Sequence, residues 1–263
     1  MNTRRHGWTT GLAATIAFVL GLVATSAAWA QDRDRNETEF KDAGESGRPV
    51  VPLKDARLKI EMNATDQDAG VQVFLDADPW KTMDIFDPYG KMVFRATTQG
   101  RFGKQGGTEL FMESAEPNFS ELTLAKFLER FPEGNYQFVG KGLNGEKLLG
   151  TAKFTHNIPN GPVLVYPAEN AFLDPNNAFV MWQQVVAPNG SPIIGYQVLV
   201  VKPNTGIRGL PKFILDVMMP PTATTMAIPP GFLLRDSEYV WEVLAIETGG
   251  NQTLSVGHFR TYR

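Results

Sequence analysis

Short runs of alternating apolar and polar residues, each cut off by Asp, Pro or Gly, constrain the fold of this chain more than any other feature. Leu58, Ile60 and Met62 alternate with charged neighbours, and Val71, Val73 and Leu75, then Met83 and Ile85, then Met92 and Phe94 repeat the pattern. Between them lie Asp66 to Gly70, Asp76 to Pro79 and Asp87 to Gly90. Successive side chains of a strand point to opposite faces, so period-two runs broken by turn formers predict antiparallel strands with tight connections. One segment departs from this. Leu124, Phe127, Leu128 and Phe131 recur at helical spacing, with Ser120 or Thr123 as N-cap and Pro132 beyond, which predicts a short helix near 122–131. Tyr136 and Phe138, then Leu148 to Phe154, return to strand, joined by a turn at Leu143 to Glu146. The expected fold is all-β: two β-sandwich domains in tandem, the first over 55–157 with one helix and the second over 162–263. The joint from Asn157 to Pro162 has two prolines, which favours stiffness.

The start of the chain has a different character. Arg4 and Arg5, an apolar stretch near 11–24, and small residues at Ala28 and Ala30 make residues 1–30 a secretory signal peptide. Residues 31–54 are polar and charge-mixed, which predicts a flexible tether. No later segment approaches the length needed to span a bilayer, so the mature chain is expected without a membrane span, periplasmic or secreted. None of the 263 residues is Cys. That removes disulfides, thiolate metal sites and cysteine nucleophiles. The formal charge of −3 argues against a nucleic-acid partner.

The C-terminal hundred residues hold the most specific landmarks. Trp182 closes an apolar strand begun at Phe179. A turn follows from Pro188 to Pro192, then a strand carrying Gly195 and Tyr196. Leu233 lies six residues before Tyr239, which opens another alternating strand through Trp241, Val243 and Ala245. Trp182 is large enough to bridge two sheets about 10 Å apart. On these residues the segment resembles a fibronectin type III domain, with Arg235 standing where that family usually has proline. The resemblance implies an immunoglobulin-like sandwich with Tyr239 as its tyrosine corner, and a spacer or interaction role. Through Met62 to Asp76, Glu113 to Pro117 and Phe131 to Gly134, the whole chain is similar to uncharacterised secreted bacterial proteins carrying such a domain. That likeness implies an architecture and brings no activity.

Each candidate site is built from residues that also have a simpler role. Asp66, Asp68, Asp76 and Asp78 offer hard oxygen ligands, and two neighbouring turns could gather them into a loose Ca²⁺ site, although no EF-hand spacing is present. The same residues also suit hairpin turns. The stretch Gly100 to Thr108 is glycine-rich and basic, but Gly107 stands where a phosphate loop needs lysine. It reads as an inter-strand loop in which Arg101 and Lys104 could meet an anionic polymer. Trp80 and Phe102, with Phe111 and Phe119, either form an exposed partner-binding or sugar-stacking patch or seal a small core. His156 and His258, the histidines left after the signal, lie in no metal spacing, and no nucleophile elbow exists. The expectation is an exported non-catalytic binding or structural module with a protein or glycan partner and no cofactor other than, at most, calcium. The alternatives are a calcium-stabilised adhesion or envelope protein, and an accessory domain pair of a polysaccharide-acting hydrolase.

Overall fold

The computed structural model describes residues 49–186 and 190–263, so the expected signal, most of the tether and Pro188 of the expected turn lie outside the described residues. The N-terminal half comprises β1 (Val50–Pro52), β2 (Asp55–Asn63), β3 (Asp68–Phe86), β4 (Met92–Thr97), α1 (Gly100–Gln105), β5 (Gly107–Glu113), α2 (Leu124–Arg130), β6 (Gly134–Gly142) and β7 (Lys147–Phe154). Val50 and Val51, placed by the sequence in the tether, instead pair in parallel with Lys147 and Leu148 of β7. Their two branched apolar side chains suit a strand better than a solvated tail.

The spine of this half is β3. Its first part pairs with β2 from Asp68 to Asp76 and with β5 from Gln72 to Asp76; its last part, through Phe86, pairs with β6 and β4. Asp76 to Pro79, expected to be a turn, therefore stays extended, and the register slips between Asp76 and Trp80. The irregularity bends the strand and changes its partners without reversing it. Ile60, Leu75, Met83, Ile85, Phe138 and Phe154 fill the core so enclosed. The predicted helix is α2: Thr123 Oγ1 accepts from Lys126 N at its start, and Phe127 is the residue it buries.

The C-terminal half comprises β8 (Leu164–Tyr166), β9 (Ala171–Leu173), β10 (Phe179–Trp182), β11 (Ile193–Lys202), β12 (Phe213–Met219), β13 (Thr225–Ala227), β14 (Glu238–Glu247) and β15 (Gln252–Thr261). Strands run β13-β10-β8 in one sheet and β12-β11-β14-β15 in the facing one. The pair forms the immunoglobulin-like sandwich that the fibronectin type III resemblance implied. Trp182 and Tyr239 are both buried, and the Trp182 ring lies 5.5 Å from that of Tyr196. The Tyr239 hydroxyl accepts from Leu234 N at 2.7 Å, which makes the tyrosine corner.

The two halves are not separate beads. β15 pairs in parallel with β2, Gln252 opposite Glu61 and Leu254 opposite Asn63, so one sheet runs from β1 at one margin to β12 at the other. Asn251 fastens the seam. Its Oδ1 accepts from Ile60 N at 2.8 Å, and its Nδ2 donates to the carbonyls of Thr155 and Asn157. Thr253 Oγ1 donates to the Pro159 carbonyl, which ties the joint itself to the sheet.

Candidate functional site

The four aspartates expected to gather do not. Asp66 caps the β2–β3 turn, accepting from Asn63 Nδ2, and Asp68 begins β3. Asp76 and Asp78 lie eight and ten residues further along β3 than Asp68. At about 3.3 Å per residue the two pairs are some 25 Å apart. Lys54 Nζ instead lies 3.7 Å from Asp76 and 3.3 Å from Asp78, supplying their counter-charge. The expectation of one four-carboxylate site is corrected for a simple reason: the second presumed turn is continuous strand.

The aromatic and basic candidates separate as well. Trp80 is in the core at 4% exposure, so it is not a surface contact. Gly107 is what lets it lie flat there, since a Cβ at that position would sit 2.7 Å from Trp80 Cζ2. Arg101, Phe102 and Lys104 stay together on α1, a short helix where a loop was expected; it buries none of its residues, and Phe102 is 71% exposed. The glycines did not prevent the helix because only one turn had to close, capped by Gly106 N donating to Phe102 O at 2.7 Å.

A different cluster lies on one face of the continuous sheet, beside the seam. Carboxylate oxygens of Glu61, Glu113 and Glu116, one from each, lie within 4.8 Å of one another. The residues come from β2, the end of β5 and the segment after β5. Gly70 stands opposite Glu61 on β3, and a Cβ there would lie 2.8 Å from Glu116 Cγ. The bare glycine makes the space into which Glu116 folds. Gln72 Nε2 donates to Glu113 Oε1 at 2.9 Å, and Gln252 Nε2 donates to Glu61 Oε2. Glu61 Oε1 has no hydrogen-bond partner although the residue is 1% exposed. Lys59, two residues away on the same face, donates to Gln252 Oε1 at 2.8 Å.

Burial dominates the titration of this face. It raises the Glu61 carboxyl, against an opposing pull from Lys59. It pushes Glu242 up to about 7, with Glu61 repulsion adding to the effect, and Asp68 up to about 6, with Asp66 adding. It lowers the Lys59 amine to about 8. Such a face can hold protons or a cation. In the sequence Glu113 and Glu116 are an acidic pair of the kind that suits a solvated face, and nothing local marks Glu61 as their partner. The period-two pattern does place Glu61 opposite the buried Ile60 side, but only the pairing with strands far along the chain buries it.

No protein-family profile matches this chain, and no curated protein matches it. Among solved structures it is similar to the FN1–FN3 domains of chicken CNTN1, with 12% identity, a TM-score of 0.30, and coverage of 81% of this chain and 68% of that one. It is similar to a tetra-tandem repeat in the extending region of a large adhesion protein, with 15% identity and a TM-score of 0.26, covering 78% of this chain and 48% of that one. It is also similar to E. coli alpha-2-macroglobulin in its native conformation, with 11% identity and a TM-score of 0.28, covering 78% of this chain and 14% of that one. At such scores these likenesses add nothing to the β-sandwich architecture that the strand pairing itself shows.

Proposed function

We propose that the chain is an exported, non-catalytic binding module. Its fused sandwiches hold α1 in place, and Arg101, Phe102 and Lys104 meet a protein or glycan partner that offers negative charge. The observation that carries this is α1 itself. The helix gives no residue to the core, yet presents an exposed aromatic ring between two cationic residues. Aromatic and Arg side chains are enriched where partners bind, and cations flanking a ring suit an anionic surface.

Export rests on the Arg4, Arg5 and Ala28–Ala30 pattern of the first thirty residues. The non-catalytic reading rests on the sequence, which has no cysteine, no nucleophile elbow and no histidine in a metal spacing. His156 Nε2 lies 2.7 Å from the Phe131 carbonyl, and His258 Nδ1 lies 2.9 Å from Glu169 Oε1.

Binding of the purified protein to acidic polysaccharides and to envelope extract tests the proposal. The triple variant Arg101→Glu, Phe102→Ala, Lys104→Glu should lose about tenfold or more in affinity while melting as the parent does, because truncating a central aromatic or Arg contact costs about 2 kcal/mol or more. Equal binding by parent and variant would remove α1 as the contact.

A further inference from the structure

We propose that Glu61, Glu113 and Glu116 form a binding site for a divalent cation of the oxygen-preferring class, Ca²⁺ foremost, where the N-terminal half meets the seam. Three features of the cluster converge on a cation. The carboxylates arrive from two segments far apart in the chain, Glu61 from β2 and Glu113 and Glu116 from the end of β5 and just beyond it, with oxygens inside a 4.8 Å span, the only such group of three acidic or histidine side chains found among the described residues. Like charges at that distance repel unless something neutralises them.

The second feature is independent of the clustering. Glu61 Oε1 is shut from solvent and has no partner in hydrogen-bond geometry, whereas Oε2 of the same carboxylate is satisfied by Gln252; the Gln72 amide, which donates to Glu113, is the other polar group acting on this carboxyl. A buried carboxylate oxygen without a partner is costly, and native structures resolve it with a donor or a metal. The third feature is space. Gly70 provides it, since any side chain there would displace Glu116, and Ser114 Oγ lies 3.2 Å from the same point as a neutral oxygen nearby.

Charge and access agree with a divalent ion. With all three carboxylates ionised the cluster carries three negative charges beside the Lys59 amine. Glu116 also lines an open groove between the segment after β5 and α2, with Leu122, Phe127 and Arg130. An ion can therefore enter from the Glu116 side while Glu61 closes the inner side. Carboxylates with neutral oxygens in irregular geometry suit Ca²⁺, whereas Mg²⁺ demands a tighter octahedron.

Thermal melting and calorimetric titration of the full chain, freed of metal by chelator and held near neutral pH at constant ionic strength, provide the test. Ca²⁺ should raise Tm progressively and saturably, with Mg²⁺ and Mn²⁺ as comparison arms. Glu116→Gln, which changes a partly exposed member and leaves the inner carboxylate in place, should weaken Ca²⁺ affinity about tenfold or more, as expected for removing one charged ligand. Gly70→Ala, which removes no charge but crowds Glu116, should weaken it too. Glu169→Gln, on the other half, should leave it unchanged. A parent Tm unmoved by all three cations up to about 10 mM, roughly tenfold above the weakest affinities of extracellular calcium modules, overturns the site. So does a Glu116→Gln protein that responds as the parent does. The outcome is independent of the α1 surface, so a failed partner test leaves this one standing, and the reverse.

Discussion

At the scale of single residues, stability concentrates in a few contacts that lack a substitute. The Tyr239 hydroxyl satisfies Leu234 N, while the ring stacks on Phe259 at 5.3 Å. Tyr239→Phe keeps the stacking and strands the amide, so equilibrium unfolding in urea should show a loss of about 1–2 kcal/mol. A loss near zero would mean that solvent reaches the amide. Gly107→Ala drives a methyl to within 2.7 Å of Trp80 Cζ2, in a core with no spare volume on that side. Overpacking of this kind costs about 1–3 kcal/mol, and a lowered Tm with shifted tryptophan fluorescence should report it. Trp80 was legible from sequence as an aromatic that either joins a surface patch or seals a small core, and the structure has it in the core. Its burial depends on Gly107, which sequence reading treated as part of a basic loop.

At the scale of elements, period-two runs predicted β2, the first part of β3, β6 and β14 because each turns one apolar face to a core, and period alone reports that, although the opposite face of β3 and β14 is largely buried too. Helix α2 was legible for the same reason at a different period. The unbroken passage of β3 through Asp76 to Pro79 was not, because turn-forming residues also serve at a bulge. The β2–β15 seam was the least legible. Its clasp joins Asn251 to Ile60, 191 residues apart, and no local pattern encodes a contact across that span. The same holds for the acidic cluster, whose members are unremarkable until the strands align. Asn251→Ala should leave Ile60 N–H buried without an acceptor, at a cost of about 1–3 kcal/mol. Because the lost bond joins the two halves, the calorimetric transition of the variant should be broader than the parent's or split, whereas a peak merely shifted to lower temperature would mean that the rest of the seam still couples the halves.

At the scale of the whole molecule, buried carboxyls set an unusual pH response. Glu61 is raised, Glu242 is raised to about 7 and Asp68 to about 6, while unfolded carboxyls titrate near 4. Through the interval from about pH 4 to 7 the folded chain thus binds more protons than the unfolded chain, so these groups make stability fall as pH rises. For Glu242 and Asp68 the destabilising effect grows up to and somewhat beyond pH 7, and Glu61 acts in the same direction, the reverse of the pattern given by ion-paired carboxylates. With metal chelated, Tm should be higher at pH 5 than at pH 8, and Glu242→Gln should shrink the difference; an unchanged difference would assign the response elsewhere. The shared sheet has a last consequence for how the chain can be divided. A cut at Pro159 would leave two fragments, each with a raw backbone margin where β2 or β15 had its neighbour. Such margins recruit strands from other copies, so the fragments are expected to clump where the intact chain stays dispersed. Exchanging either half for an unrelated sandwich is expected to fail unless the newcomer also supplies a strand to complete that margin.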